Sequence, residues 1–130
     1  MGKTILLADD ERFIRILLED TLSRLGEADV RLVVAKDGPE ALEIARTERP
    51  DLVILDVMMP RLDGYEVCQR LRADLGLTET YVIMLTARGR NADKLRGLQV
   101  GANEYLTKPF DPTYLLARAR QVLHLPSEGN

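Results

Sequence analysis

The sequence lacks tryptophan, has only one cysteine, Cys68, and contains no apolar run long enough to cross a membrane. A single cysteine cannot form an internal disulfide, which is typical of chains that fold in a reducing compartment. A membrane-spanning helix needs roughly 20 consecutive apolar residues. A secretory signal would precede the first strand, and strand-like residues already begin at Thr4. These absences predict a cytoplasmic domain with no membrane partner.

The chain also has no excess of basic residues. It contains 18 Lys and Arg and 21 Asp and Glu, and its net charge is −3. Binding to a nucleic acid backbone needs a concentrated basic surface. We therefore expect no direct nucleic acid binding. One basic cluster is predicted to be a solvated face: Arg88, Arg90, Lys94 and Arg96.

Five short apolar segments alternate with five helical patterns. The segments are residues 4–9, 30–35, 51–56, 81–86 and, more weakly, about 103–107. The first four runs are almost continuously apolar and predict strands buried on both faces of a parallel sheet. Five strands alternating with helices also imply right-handed βαβ crossovers. The fold class is therefore α/β, a doubly wound sandwich of three layers, and the pattern leaves the strand order open. We expect residues 1–125 to form one domain and 126–130 to be a tail or the start of a linker.

Capping residues mark several helix ends. A first helix is predicted over 11–25, with an apolar stripe that includes Phe13 and with Gly26 as the residue that ends it. Further helices are predicted over 38–48 and 91–99. Asp63 has capping-box spacing before the third helix, and Asp111 followed by proline should begin the last one.

Side chains that bind metals or phosphate follow these strands at their C-terminal ends: Asp9, Asp10, Asp56, Thr86 and Lys108. Ligands of open parallel sheets bind at the carboxyl ends of the strands, so these residues are expected to share one pocket. Three carboxylates, a hydroxyl and an ammonium group suit a divalent cation beside a phosphoryl group.

Each residue also has a simpler explanation when taken alone. Asp9 and Asp10 are suited to cap a helix, Asp56 to cap a turn, Thr86 to end a strand and Lys108 to lie at the surface. A single pocket explains all of them together, with Asp56 as a nucleophile that forms an aspartyl phosphate. The proline after Lys108 is able to take the cis form, which would fix the direction of the lysine.

The chain resembles the receiver domain of bacterial two-component response regulators over about residues 3–124. The resemblance is carried by residues 5–11, 51–64, 85–87 and 101–110. Each stretch is a weak signal alone, but their order and spacing are specific. The resemblance implies the flavodoxin-like strand order 2-1-3-4-5. It also implies a signalling phosphoacceptor that hydrolyses its own phosphate slowly, rather than an enzyme.

The resemblance further implies how the acidic residues divide their roles. Asp56 is the expected phosphoacceptor. Mg²⁺ is the expected cofactor, held directly by Asp10, Asp56 and the backbone carbonyl of Met58, with Asp9 acting through a bound water.

The phosphoryl oxygens are expected to be held by Thr86, Ala87 and Lys108. Tyr105 is expected to be the aromatic switch residue, which moves inward as Thr86 turns to the phosphate. The surface formed by the fourth helix, the fifth strand and the fifth helix would then switch its conformation.

The partners implied are a sensor histidine kinase or phosphotransfer protein as donor, and an output domain or effector protein that reads the phosphorylated state. Lys94 and Arg118 occupy positions used for dimer contacts in one receiver subfamily, which predicts a homodimer formed on phosphorylation. Asn103 stands where that pattern often has aspartate, and this difference weakens the prediction.

Two other protein classes share some of these features. A metal-dependent phosphohydrolase of the haloacid-dehalogenase type also forms an aspartyl phosphate, but it needs an Asp-x-Asp pair after the first strand. This chain has Asp9, Asp10 and Glu11 there. A flavin binder needs a phosphate loop rich in Ser, Thr and Gly at the same place, and the sequence has none.

Overall fold

The computed structural model describes residues 2–87 and 90–126. Arg88 of the predicted basic cluster and residues 127–130 of the predicted tail lie outside the described residues. Within this part of the chain, no helix is both long and apolar enough to cross a membrane.

Strands and helices alternate along the described chain. The strands are β1 Lys3–Ala8, β2 Val30–Ala35, β3 Leu52–Asp56, β4 Tyr81–Thr86 and β5 Glu104–Thr107. The helices are α1 Arg12–Leu22, α2 Gly38–Glu48, α3 Gly64–Ala73, α4 Asn91–Gln99 and α5 Pro112–Val122. All strand pairs are parallel, in the order β2-β1-β3-β4-β5. The expected α/β class and strand order are confirmed.

The sheet separates two apolar cores, because alternate residues of a strand point to opposite faces. One core contains Leu6, Val53, Leu55, Val82 and Met84 and packs against α2 and α3. The other contains Ile5, Leu7, Ile54, Ile83 and Leu85 and packs against α1 and α5. The central strands are therefore buried on both faces, as the sequence predicts.

The predicted burial is wrong for β2. Its middle residues are only half-buried and Arg31 is exposed. β2 lies at one edge of the sheet, where neighbouring structure covers it incompletely.

The predicted end of the first helix is also wrong. α1 ends at Leu22 and a short 3₁₀ helix, Ser23–Ala28, continues through Gly26. Asp29, not Gly26, takes the left-handed conformation, with φ 61°. Phe13 is 72% exposed, so it does not belong to the buried stripe formed by Leu18 and Leu22.

Two predicted caps are present in the structure. The Asp63 side chain accepts from the N–H of Glu66 at 3.0 Å, and that of Asp111 accepts from Thr113 at 2.9 Å. Asp37 caps α2 in the same way, with the N–H of Glu40 at 2.9 Å.

Arg72 of α3 joins the loops at the amino ends of β4 and β5. Its guanidinium group donates to the carbonyls of Leu77 and Thr80, both at 2.6 Å, and to that of Gly101 at 2.7 Å. It also donates to the Asn103 side-chain oxygen at 2.8 Å, which accepts from the Val82 N–H as well. Asn103 therefore has a structural role here.

Candidate functional site

Three carboxylates meet at the carboxyl edge of the sheet. Asp9 and Asp10 follow β1, and Asp56 is the last residue of β3. One oxygen atom from each of the three lies within 4.8 Å of the others. Asp9 and Asp56 are 1% and 3% exposed, whereas Asp10 is open to solvent. The cluster thus has two buried members and one accessible side.

The Lys108 ammonium group binds the buried carboxylates. Its Nζ lies 2.9 Å from Asp9 Oδ2 and 3.4 Å from both Asp56 Oδ1 and Glu11 Oε1. The backbone N–H of Lys108 donates to the Thr86 carbonyl at 2.7 Å, and the Lys108–Pro109 peptide bond is cis. The sequence predicted that Lys108 lies in the pocket but did not predict these carboxylate partners.

The pKa values show that the two buried carboxylates are poorly solvated in their charged forms. Burial, and after it the charge of Asp9, raise the pKa of Asp56 to about 6 against the opposing effects of Lys108 and the Met58 N–H. Burial also raises the pKa of Asp9, against the opposing effects of the Glu11 N–H and Lys108. Burial would lower the pKa of Lys108, but its hydrogen bond to Asp9 and the carboxylate charges raise it overall. A cation close to both carboxylates would stabilise their charged forms.

The remaining predicted site residues lie near this edge. Thr86 is the last residue of β4 and is fully buried, while Ala87 after it is exposed. β4 pairs with β3, and Asp56 stands opposite Leu85. Met58 is 49% exposed and lies two residues after Asp56.

The loop between β3 and α3 is fixed by close backbone packing. An added Cβ on Gly64 would lie 2.4 Å from the carbonyl oxygen of Asp56, so a side chain does not fit there. The Gly64 N–H donates to the Val57 carbonyl at 2.9 Å. Arg61, with φ 68°, forms an ion pair with Asp37. Gly64 stands in one of the stretches that carry the resemblance, but no sequence signal indicated the ion pair.

Tyr105, the expected switch residue, contacts α4 and is partly buried. A Cβ added to Gly97 would lie 2.8 Å from Cδ2 of the Tyr105 ring. The Tyr105 hydroxyl lies 3.2 Å from that of Tyr65, which also donates to the Asp93 carbonyl at 3.1 Å. No sequence motif indicated a role for Tyr65, whose only signal was an aromatic residue in the first turn of a predicted helix.

An open cleft of about 470 Å³ lies beside the carboxylates. Its lining includes Asp10, Met58, Asp63, Tyr65 and Arg96. The cleft therefore extends from the acidic cluster to α4, and it gives solvent molecules and small ions access to the accessible side of the cluster.

The chain is similar in sequence to one family of known proteins. The family model described as response regulator receiver domain matches residues 5–120. The chain is 51% identical over 121 residues to the probable transcriptional regulator ycf27 of Cyanophora paradoxa, covering 93% of this chain and 48% of the relative. The chain thus spans about half the length of the curated relatives it matches.

Solved structures show the same similarity. The BeF₃-activated receiver domain of DrrB, a Thermotoga maritima protein, matches with a TM-score of 0.84 and 34% identity, over 95% of this chain and 99% of that one. The receiver domain of sensor histidine kinase PA1611 from Pseudomonas aeruginosa has a magnesium ion coordinated in its active site cleft. It matches with a TM-score of 0.83 and 31% identity, over 95% of this chain and 99% of that one.

Proposed function

The chain belongs to the response regulator receiver domain family, which acts in two-component signalling, and from this premise we propose that Asp56 is its phosphoacceptor. The donor is the phosphohistidine of a sensor histidine kinase or phosphotransfer protein, which places the domain in the cytoplasm. The observation that carries the proposal is a buried carboxylate at a strand end, with Lys108 Nζ at 3.4 Å. The matches give the phosphohydrolase alternative no support.

The residues of the pocket can carry out the transfer by positioning and charge. A carboxylate oxygen of Asp56 forms a bond to phosphorus as the P–N bond of the phosphohistidine breaks, and the imidazole nitrogen keeps that electron pair. Lys108 lies close enough to Asp56 to bind an oxygen of the incoming group. The Thr86 hydroxyl and the Ala87 N–H lie at the end of the neighbouring strand β4 and would hold the other oxygens.

Mg²⁺ fits the donor set of this pocket, because carboxylate and carbonyl oxygens are its preferred protein ligands. Asp10, Asp56 and the Met58 carbonyl would hold the ion, and Asp9 would act through water. Burial and the charge of Asp9 raise the pKa of Asp56, and a cation beside these carboxylates would stabilise their charged forms. When bound, Mg²⁺ would neutralise the carboxylates and stabilise charge on the phosphoryl group.

The phosphorylated state would be read on the face formed by α4, β5 and α5. A phosphoryl group on Asp56 carries about 1.5 to 2 negative charges and three strong acceptor oxygens, which would draw Thr86 and Lys108 toward it and thereby shift Tyr105. The chain covers only 48% of ycf27, a probable transcriptional regulator, which supports an output domain joined to the receiver. Residues 1–125 would be the receiver and 126–130 the start of the connection.

Dimerisation through this face stays a prediction. Arg118 already donates within the chain, to Glu104 at 2.7 Å and to the Tyr81 hydroxyl at 2.6 Å. A dimer contact at Arg118 would have to share or replace these bonds. Lys94 and Leu95 of α4 are exposed and available for such a contact.

The function is tested by incubating the protein with Mg²⁺ and acetyl phosphate and measuring its intact mass. We expect a gain of one phosphoryl group per chain, prevented by chelation of Mg²⁺. A phosphohydrolase would instead turn over p-nitrophenyl phosphate many times, so release of p-nitrophenol is followed in parallel. Repeated turnover, or no mass gain with this donor or a cognate kinase, would refute the proposal.

Phe13→Ser is expected to slow transfer from a cognate histidine kinase by roughly 10-fold or more, as large contact residues at interfaces do when truncated. Phe13 and Ile16 are 72% and 53% exposed on α1, which begins directly after the acidic residues. A protein donor must cover this region to bring its phosphohistidine to Asp56. Phosphorylation by acetyl phosphate, which needs no such surface, should stay unchanged.

The matched control is Leu95→Ser, which removes an apolar side chain that is 55% exposed on α4. Its kinase-dependent rate should equal that of the wild type. Equal rates for Phe13→Ser and wild type with the kinase would show that this part of α1 is not the donor contact.

A further inference from the structure

Tyr65 joins three elements of the fold through its ring and hydroxyl group. It is the second residue of α3 and is 2% exposed. Its hydroxyl donates to the Asp93 carbonyl of α4 at 3.1 Å and lies 3.2 Å from the hydroxyl of Tyr105 in β5. A phenol has one hydrogen to donate, so Tyr105 is the donor in the second bond. The hydroxyl pair therefore connects α3, α4 and β5.

The position of Tyr65 is closely tied to that of Asp56. Gly64, which precedes Tyr65, packs so tightly that an added Cβ would lie 2.4 Å from the Asp56 carbonyl oxygen. The Gly64 N–H also donates to the Val57 carbonyl at 2.9 Å. The Arg96 guanidinium lies 4.2 Å from the centre of the Tyr65 ring, in a cation–π contact that fixes the ring. The backbone and the ring of Tyr65 are therefore held in place close to the phosphoacceptor, and so is its hydroxyl group.

We propose that the Tyr65 hydroxyl is a positioning group that holds Tyr105 inward against α4, the position favoured when Asp56 is phosphorylated. This inference rests on the proposed function of Asp56. The Tyr105 ring lies against Gly97, so its position and that of α4 depend on each other. Without the Tyr65 oxygen, the inward position of Tyr105 has one hydrogen bond fewer, whereas its hydrogen bonding to water in the outward position is unchanged. The outward position of Tyr105 would then gain population.

Tyr65→Phe tests the proposal because it removes one oxygen and keeps the buried ring. Beryllofluoride with Mg²⁺ serves as an analogue of the phosphoryl group, and binding is followed by NMR with ¹³C-labelled tyrosine rings. The chain has four tyrosines, and Tyr→Phe variants serve to assign their signals. We expect Tyr65→Phe to bind beryllofluoride roughly 2- to 10-fold more weakly, the size of one lost hydrogen bond coupled to the site. The Tyr105 signal should move toward that of an exposed ring.

Tyr81→Phe is the matched control. Its hydroxyl accepts from Arg118 at 2.6 Å and donates to Glu104 at 3.2 Å, but Tyr81 lies at the amino end of β4. This variant should bind beryllofluoride like the wild type. Tyr105→Phe removes the donor of the same bond, so combining it with Tyr65→Phe should add little to either single effect. It also serves as the test if Tyr65→Phe does not fold.

The outcomes separate the two proposals. Unchanged beryllofluoride affinity and an unchanged Tyr105 signal in Tyr65→Phe would overturn the role of Tyr65 alone. An equal loss in Tyr81→Phe would overturn it too, because the effect would then be general destabilisation. If the wild type itself fails to bind beryllofluoride and to gain a phosphoryl group, the function proposed for Asp56 is refuted, and this inference with it.

Discussion

Asp56→Asn is expected to abolish phosphorylation by acetyl phosphate and Mg²⁺ while it makes the unphosphorylated protein more stable. The amide is a poor nucleophile, so no phosphoryl group should appear in the intact mass. The same change removes a buried charge whose pKa is raised to about 6 by burial and by Asp9. At pH 7 without Mg²⁺, we expect a gain of about 1–2 kcal/mol in unfolding free energy, reduced by solvent screening at the accessible side.

The gain in unfolding free energy of Asp56→Asn over the wild type should increase as the pH rises. The folded-state pKa of Asp56 lies above its ordinary value of 3.8, so the folded protein binds the proton more tightly than the unfolded chain. The contribution of Asp56 to wild-type stability is therefore fully present below about pH 4 and is lost as the pH rises through about 6. Urea unfolding of both proteins across this range should show the difference growing with pH.

Asp74→Asn provides the control for Asp56→Asn, because it neutralises an exposed carboxylate after α3. It should gain the phosphoryl group like the wild type and show no comparable rise in stability. Phosphorylation of Asp56→Asn to the wild-type extent would rule out Asp56 as the acceptor.

Lys108→Met is expected to slow phosphorylation by roughly 100- to 1000-fold, the usual loss when one fixed donor to a developing charge is removed. Mg²⁺ should bind more tightly, by roughly 5- to 10-fold, equivalent to about 1 kcal/mol. The reason is that the ammonium group lies 2.9 Å from Asp9 and 3.4 Å from Asp56, and repels a cation that uses the same carboxylates. Calorimetric titration with Mg²⁺ and time-resolved mass measurement give the two values.

The opposite signs of these effects distinguish the role of Lys108 from simple structural support, since a loosened pocket would lose both Mg²⁺ affinity and rate. Lys94→Met, which removes an exposed lysine of α4, should change neither value. Weaker Mg²⁺ binding together with an unchanged rate in Lys108→Met would contradict the arrangement described.

The sequence was sufficient to predict the fold class, because strands that are buried on both faces of a parallel sheet are almost continuously apolar. The central strands of this chain show such apolar runs. The strand order came only from the resemblance. Predictions from local sequence patterns, such as a helix end at a glycine, were wrong where tertiary packing determined the structure. Leu25 is buried by the 3₁₀ helix, so the chain continues through Gly26, and the turn is completed at Asp29. Phe13 lies on a helix face that the domain leaves uncovered, which its apolar character alone could not reveal.

The strand ends predicted where the pocket lies, because parallel topology places them at one edge. The contacts within it could not be predicted. Lys108 and Asp9 are 99 residues apart, and Tyr65 and Tyr105 are 40 apart. Their pairing depends on side-chain directions set by how α3, α4 and β5 pack. The order of residues along the chain does not by itself indicate these side-chain directions.

The most direct test of the central claim is to locate the phosphoryl group on the chain. After phosphorylation with acetyl phosphate and Mg²⁺, borohydride converts an aspartyl phosphate to homoserine, which peptide mass spectrometry can place. We expect conversion at Asp56 and at none of Asp9, Asp10 or Asp51. Conversion at another aspartate, or a phosphoryl group on a different residue type, would contradict it.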